Sequence, residues 1–151
     1  MPDVLNYRES FNYSWRRAAP EGARTPDLGL VLVLGVSPIN RVVVGRIVEC
    51  AGLKAVCETP QNARRSLLAC HPGTVIFDCG ADNGECDGFA AAFAQFRALH
   101  GGALPLLITL SPAALPIGRA LAEFADAIIS KPITVEGLQP TLVRLIESAR
   151  S

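Results

Sequence analysis

Lysine is almost missing from this 151-residue sequence. Of 14 basic residues only Lys54 and Lys131 are lysines, so any task that needs a flexible primary amine falls to one of two positions. Histidine is as scarce: His71 sits beside Pro72, and His100 stands at a helix end. No Ser/His/Asp or Cys/His constellation is visible and a glycine-rich phosphate-binding fingerprint is absent, which argues against an independent hydrolase or transferase. Excess charge is lacking too. Fourteen basic residues balance 14 acidic ones, so the composition excludes a general binder of nucleic acid or anionic membranes. The five cysteines, Cys50, Cys57, Cys70, Cys79 and Cys86, are an odd number without CxxC spacing. They read as free buried thiols of a reducing compartment rather than as a zinc site built from Cys79, Cys86 and His71. The longest apolar run, Leu28 to Val36, is far too short to span a bilayer. The start, MPDVLNYRESF, lacks a basic stretch followed by an apolar run. A secretory signal is therefore not expected, and cytoplasmic location follows by elimination.

Half of the residues are hydrophobic and 19% are charged, which suits one compact domain with a substantial core. Residues 1–27 differ from the rest. They hold both tyrosines and the only tryptophan, with Tyr7, Phe11 and Trp15 spaced by four so that one helical face could carry all three. This extension is read as a flexible tail or as a docking or dimer element. Residues 28–151 form the expected domain.

Within that domain apolar strands alternate with helices. Strands are expected over 30–34, 54–57, 74–77, 104–110 and 127–129. Helices are expected over 38–51, with Ser37 as cap and Pro38 in the first turn, and over 61–70. The third runs over 87–99 with Phe89, Phe93 and Phe96 on one face, the fourth from Pro112 or Pro116 to Phe124, and the last from Thr134 or Val135 to Ser148. The strands are apolar throughout, which fits parallel strands covered on both faces. Right-handed crossovers then give an α/β, doubly wound five-stranded parallel sheet in a three-layer, flavodoxin-like sandwich, with no room for an output domain after the last helix.

Ligands of such sheets bind outside the carboxyl ends of the strands. Those ends carry Gly35 and Val36, then Asp78, Cys79 and Gly80, then Leu110 and Ser111, and finally Ser130, Lys131 and Pro132. Asp78 follows the apolar run Thr74–Phe77 and so stands at the mouth, where Lys131 would meet it. Such a pair is either a structural ion pair or an acceptor site for a phosphoryl group or another anion.

At this point the sequence resembles a known family. VLVLGVSPINR (Val31 to Arg41), VIFDCG (Val75 to Gly80), Asp87-Gly88 and IISKPIT (Ile128 to Thr134) look, in order and at matching spacing, like the motifs of response-regulator receiver domains. The resemblance spans roughly residues 29–148. It implies Asp78 as phospho-acceptor, Lys131 as the phosphoryl-contacting lysine in a lysine-proline cis motif, and the Gly80 carbonyl as a magnesium ligand. It implies as partners a histidine kinase, a phosphotransferase or another signalling protein, docked on a first helix offering Ile39, Val42, Val43, Arg46 and Ile47. A homodimer would use the last two helices or the aromatic extension; the last helix offers Leu138, Leu142, Leu145 and Ile146, much of which must be core.

The departures bear on chemistry. Where the family carries two adjacent acids that hold magnesium, this chain has Gly35 and Val36, so magnesium is expected to bind weakly if at all. The resemblance puts the family's switch hydroxyl at Leu110, flanked by Thr109 and Ser111, and its aromatic switch residue at Ile128. The loop from Asp78 to Asp87-Gly88 is long and contains Asp82, Asn83 and Glu85; of its acids Asp82, Glu85 or Asp87 could supply a replacement metal site. Two like charges about 4 Å apart repel by roughly 4 kcal/mol at an effective dielectric near 20, and Lys131 alone offsets only part of that, so losing the cation slows phosphoryl transfer by orders of magnitude. The expected function is thus that of a pseudo-receiver, a non-enzymatic protein-binding module of phosphorelay signalling. The alternatives are a working receiver phosphorylated on Asp78 and a nucleotide or cyclic-dinucleotide sensor using Arg64, Arg65 and Arg119.

Overall fold

The structure, a computed structural model, describes residues 25–79, 83–112 and 119–150; for 83–87 and 119–120 it describes the backbone only. The order is β1 (Asp27–Gly35), α1 (Pro38–Cys50), β2 (Lys54–Glu58), a 3-10 turn (Pro60–Asn62), α2 (Ala63–Cys70), β3 (Pro72–Asp78), α3 (Asn83–Leu99), β4 (Leu106–Ser111), α4 (Arg119–Ala122), β5 (Ala127–Ser130) and α5 (Val135–Arg150). All strand pairs are parallel, in the order β2-β1-β3-β4-β5. The doubly wound sheet expected from the β-α alternation is therefore present.

Period-two alternation explains why β1 is apolar from Leu30 to Leu34: its successive side chains feed two cores. Leu32 and Leu34 join Val75 and Phe77 under Leu67 of α2, the α3 phenylalanines and Leu121 of α4. Val31 and Val33 join Ile76, Ile108 and Leu110 under Val44 and Val48 of α1 and Leu138 and Leu142 of α5. Phe89, Phe93 and Phe96 share the buried face of α3. Phe89 stacks on Phe77 with ring centroids 4.6 Å apart.

Several expectations need correction. The edge strands β2 and β5 are only partly covered: every one of their residues is half-buried or exposed, instead of being buried on both faces. Asp27 already belongs to β1, its N–H donating to the His71 carbonyl at 2.8 Å, so the domain starts one residue before the expected boundary. Helix α3 begins at Asn83 rather than Asp87, and β4 begins at Leu106, after a cis Leu104–Pro105 bond. Of the four described cysteine side chains only Cys79 is buried; Cys50 and Cys57 are exposed and Cys70 is intermediate. Cys79 and His71 lie at opposite ends of β3, too far apart to share a zinc ion. Ile47 of α1 is core rather than docking surface, while Leu138, Leu142 and Ile146 of α5 are core as expected. The aromatic run of the first 24 residues and the start of α4 near Pro112 or Pro116 lie outside the described residues.

Local chemistry sets the termini that matter for the mouth. Ser37 caps α1, its Oγ accepting from the Asn40 N–H at 3.2 Å, with Pro38 in the first turn. This turns the chain sharply after β1 and brings Asn40 and Arg41 back over the strand end. At the other end of the sheet Gly73 is required by close approach: a Cβ there would lie 2.6 Å from Leu28 Cα. No helix of the described residues is long and apolar enough to cross a membrane.

Candidate functional site at the mouth of the sheet

The register lines up the strand ends. Gly35 pairs with Asp78, Asp78 with Leu110, and Ser111 with Ser130. Asp78 ends the fully buried strand β3 and is itself 6% exposed. A carboxylate held there needs partners, because desolvating an unpaired charge is costly.

Its partners come from two sides. Lys131 follows β5, and its backbone N–H is fixed on the Ser111 carbonyl at 2.9 Å. From there its side chain reaches past β4 to place Nζ 2.5 Å from Asp78 Oδ1, and Nζ also donates to the Cys79 carbonyl at 2.9 Å. The Lys131–Pro132 bond is cis. Asn40 of α1 donates from Nδ2 to Asp78 Oδ2 at 3.0 Å. One cation and one amide thus engage the two carboxylate oxygens.

The end of β1 is occupied in its own way. Arg41 donates from Nη1 to the Gly35 carbonyl at 2.6 Å and to the Val36 carbonyl at 3.2 Å. Gly35 leaves room for Asp78: a Cβ at position 35 would lie 3.0 Å from Asp78 Cβ and 3.2 Å from Oδ2. Val36 points out and is exposed. Beneath this corner Cys57 Sγ contacts the Arg41 carbonyl at 3.5 Å and rests against the open face of Gly45. Although Cys57 as a residue is exposed, desolvation of its sulfur where it packs against Arg41 and Gly45 pushes the thiol up, against the opposing pull of Arg41.

Magnesium, which the resemblance implies, does not fit the described residues. Gly35 and Val36 offer no carboxylate, a guanidinium covers both their carbonyls, and Lys131 and Asn40 take the oxygens of Asp78. No group of three or more His, Cys, Asp or Glu side chains among the described residues could hold a metal ion. Gly80 and Asp82, and the side chains of Glu85 and Asp87, lie outside the described residues.

The remaining expected positions scatter. Leu110 is fully buried in the core under α1 and α5, so its side chain is not at the mouth. Ser111, the residue after it, is the hydroxyl that ends β4. Ile128 is exposed on the outer face of β5. Arg64 lines a shallow cleft of about 80 Å³ between α2 and α3, well below the roughly 300 Å³ of a small-molecule pocket, and the Arg119 side chain is outside the described residues. Asn40 and Arg41 were inside the motif that carries the resemblance but had no role assigned from sequence. The signal available was their place in the first turn of a helix capped at the mouth.

No protein-family model matches the sequence, and comparison with curated proteins finds no match. Solved structures do match. A CheY-like response-regulator receiver domain from Methylobacillus flagellatus shares 19% identity, with TM-score 0.64 over 80% of this chain and 99% of that one. The receiver domain of a sensor histidine kinase from Pseudomonas aeruginosa, solved with magnesium coordinated in its active-site cleft, shares 21% identity, with TM-score 0.62 over 80% and 99%. The pseudo-receiver domain of the CikA protein shares 22% identity, with TM-score 0.57 over 78% and 96%. Topology, strand register and these superpositions agree: this chain has the fold of response-regulator receiver domains.

Proposed function

We propose that this chain is a degenerate receiver, a cytoplasmic signalling module that works by binding a histidine kinase, a phosphotransferase or another regulator, and in which magnesium-dependent phosphorylation of Asp78 is impaired. It acts as a binding protein, not as an enzyme. One observation carries the reading: Asp78 is engaged on both oxygens by groups of the same chain while the end of β1 presents a guanidinium where a divalent cation would need carboxylates. Phosphoryl transfer to a carboxylate depends on charge neutralisation and positioning at the attacking oxygen. Here the attacking oxygen must first give up Lys131 or Asn40, and the end of β1 offers no acidic pair to recruit a metal in their place.

The contact between Asp78 and Lys131 also favours a second reading, a working receiver, because it brings a carboxylate and an ammonium together at the mouth. Incubation of the full chain with a small phosphodonor and millimolar magnesium, followed by mass spectrometry of the intact protein, separates the two. The expected result is no stable adduct on wild type beyond the level of Asp78→Ala. A stoichiometric, Asp78-dependent mass increase would establish the working receiver instead.

A further inference from the structure

Helix α1 presents an apolar face that the described domain leaves uncovered. Ile39 is 74% exposed, Val42 64% and Val43 39%, and Val36, just before the cap, is 54% exposed. Ile39, Val42 and Val43 stand at i, i+3 and i+4, so they form one stripe, opposite the buried Val44, Ile47 and Val48. Single exposed apolar side chains need no explanation, but three on one helix face with a fourth just before its cap form a patch.

The chain carries an apolar counterpart of matching length. Its first 24 residues hold Tyr7, Phe11 and Trp15 at intervals of four, with Arg8, Glu9, Asn12, Arg16 and Arg17 between and beyond them. In a helix that stripe is about 12 Å long, against about 7.5 Å for the five helical steps from Pro38 to Val43, with Val36 two residues further on. Connectivity allows them to meet. Helix α1 runs back along the sheet, so its last turn lies at the end where Thr25 enters β1. The nine residues from Arg16 to Arg24 can span up to roughly 30 Å extended, against about 20 Å for the whole of α1.

We propose that this N-terminal segment docks on α1 of its own chain, with Trp15 over Val42 and Val43 and Tyr7 toward Ile39 and Val36. Size favours this occupant over a second copy. Four side chains fall well short of the roughly 800 Å² that each partner brings to a stable complex. A tethered segment needs far less, because a short linker holds it at an effective concentration in the millimolar range. This inference stands independently of the signalling role proposed above.

Trp15 is the only tryptophan, so its fluorescence reports the contact in the full chain. The expected emission is blue-shifted and shielded from acrylamide, and independent of protein concentration. Ile39→Arg and Val42→Arg, each at an exposed position and each checked for an unchanged circular dichroism spectrum, should restore the emission and quenching of free tryptophan amide. Water-like emission in the wild type would overturn the proposal, and so would shielding that survives both substitutions. Shielding lost on dilution, in step with dissociation seen by light scattering, would overturn it in favour of a second copy.

Discussion

At the scale of single residues, Asp78 owes its position to a division of labour between a cation and an amide. Lys131 supplies the charge and Asn40 the second hydrogen bond, in a site where the carboxylate is almost fully withdrawn from water. Removing one partner of a buried ion pair costs about 3–5 kcal/mol, because the charge left behind stays desolvated. Lys131 is itself partly exposed, so Lys131→Met should fall at the lower end, about 3 kcal/mol in urea unfolding, and Asp78→Asn in the same background should recover part of the loss. Equal, additive losses would mean that the two groups do not depend on each other. The sequence makes this pair legible because strand-end positions follow from the β-α alternation. It does not make Asn40 and Arg41 legible. Polar residues in the first turn of a helix are ordinarily solvated, and only the turn set by Ser37 and Pro38 aims these two across the end of β1. Leu110 pairs with Asp78 in register, on the same face of the sheet, and being apolar it packs into the core and brings no hydroxyl there.

At the scale of elements, the long helix α3 is held by more than its phenylalanines. Arg97 lies over the Phe93 ring at 4.7 Å. Its guanidinium donates to the Pro105 carbonyl at 2.8 and 3.3 Å and to the Phe124 carbonyl at 3.2 Å, and pairs with Asp126 at 3.0 Å. Asp126 in turn accepts from the Leu107 N–H at 2.8 Å. One side chain thereby joins α3 to the start of β4 and to the turn before β5. Arg97→Ala should lower the unfolding free energy by about 2–3 kcal/mol, since charge-assisted bonds and a cation–π contact are lost together. Arg97→Lys should recover little, because a point charge cannot serve two carbonyls and a carboxylate in one plane; full recovery in the lysine variant would show that charge alone matters. Nothing in the linear pattern singles out Arg97 from the other arginines. The early start of α3 was hidden for a related reason. Gly84 and Gly88 lower helix propensity over its first turns, and the packing of its phenylalanines on the sheet outweighs that local cost. The edge strands were misjudged because hydrophobicity reports what a strand could bury, not whether a neighbour arrives to cover it.

At the scale of the whole molecule, the described strands and helices place the carboxylate of Asp78 at the centre of the sheet's open end, between β1 and β4. The architecture was readable because parallel strands covered on both faces leave a strong signature in composition and spacing. The aromatic extension was not, since spacing by four offers a face without naming what lies against it. A ligand that binds only the folded chain raises its stability, by about 2.7 kcal/mol at a concentration one hundred times its dissociation constant. Millimolar magnesium should therefore leave the thermal midpoint of this protein where it is in a chelator. An upward shift, abolished by Asp78→Ala, would mean that the mouth gathers oxygen ligands in spite of Arg41.

The missing side chain at Gly35 closes one route back to metal chemistry. The space in which an acid would stand is already filled by the Cβ and Oδ2 of Asp78, and the carbonyls beside it are spoken for by Arg41. Grafting an aspartate into position 35 would set a second negative charge against the first and push the original one off Asn40. Rebuilding a cation site would take concerted change at several positions, on the loop, on the helix and at the strand end, because the present packing uses the vacancy as a seat.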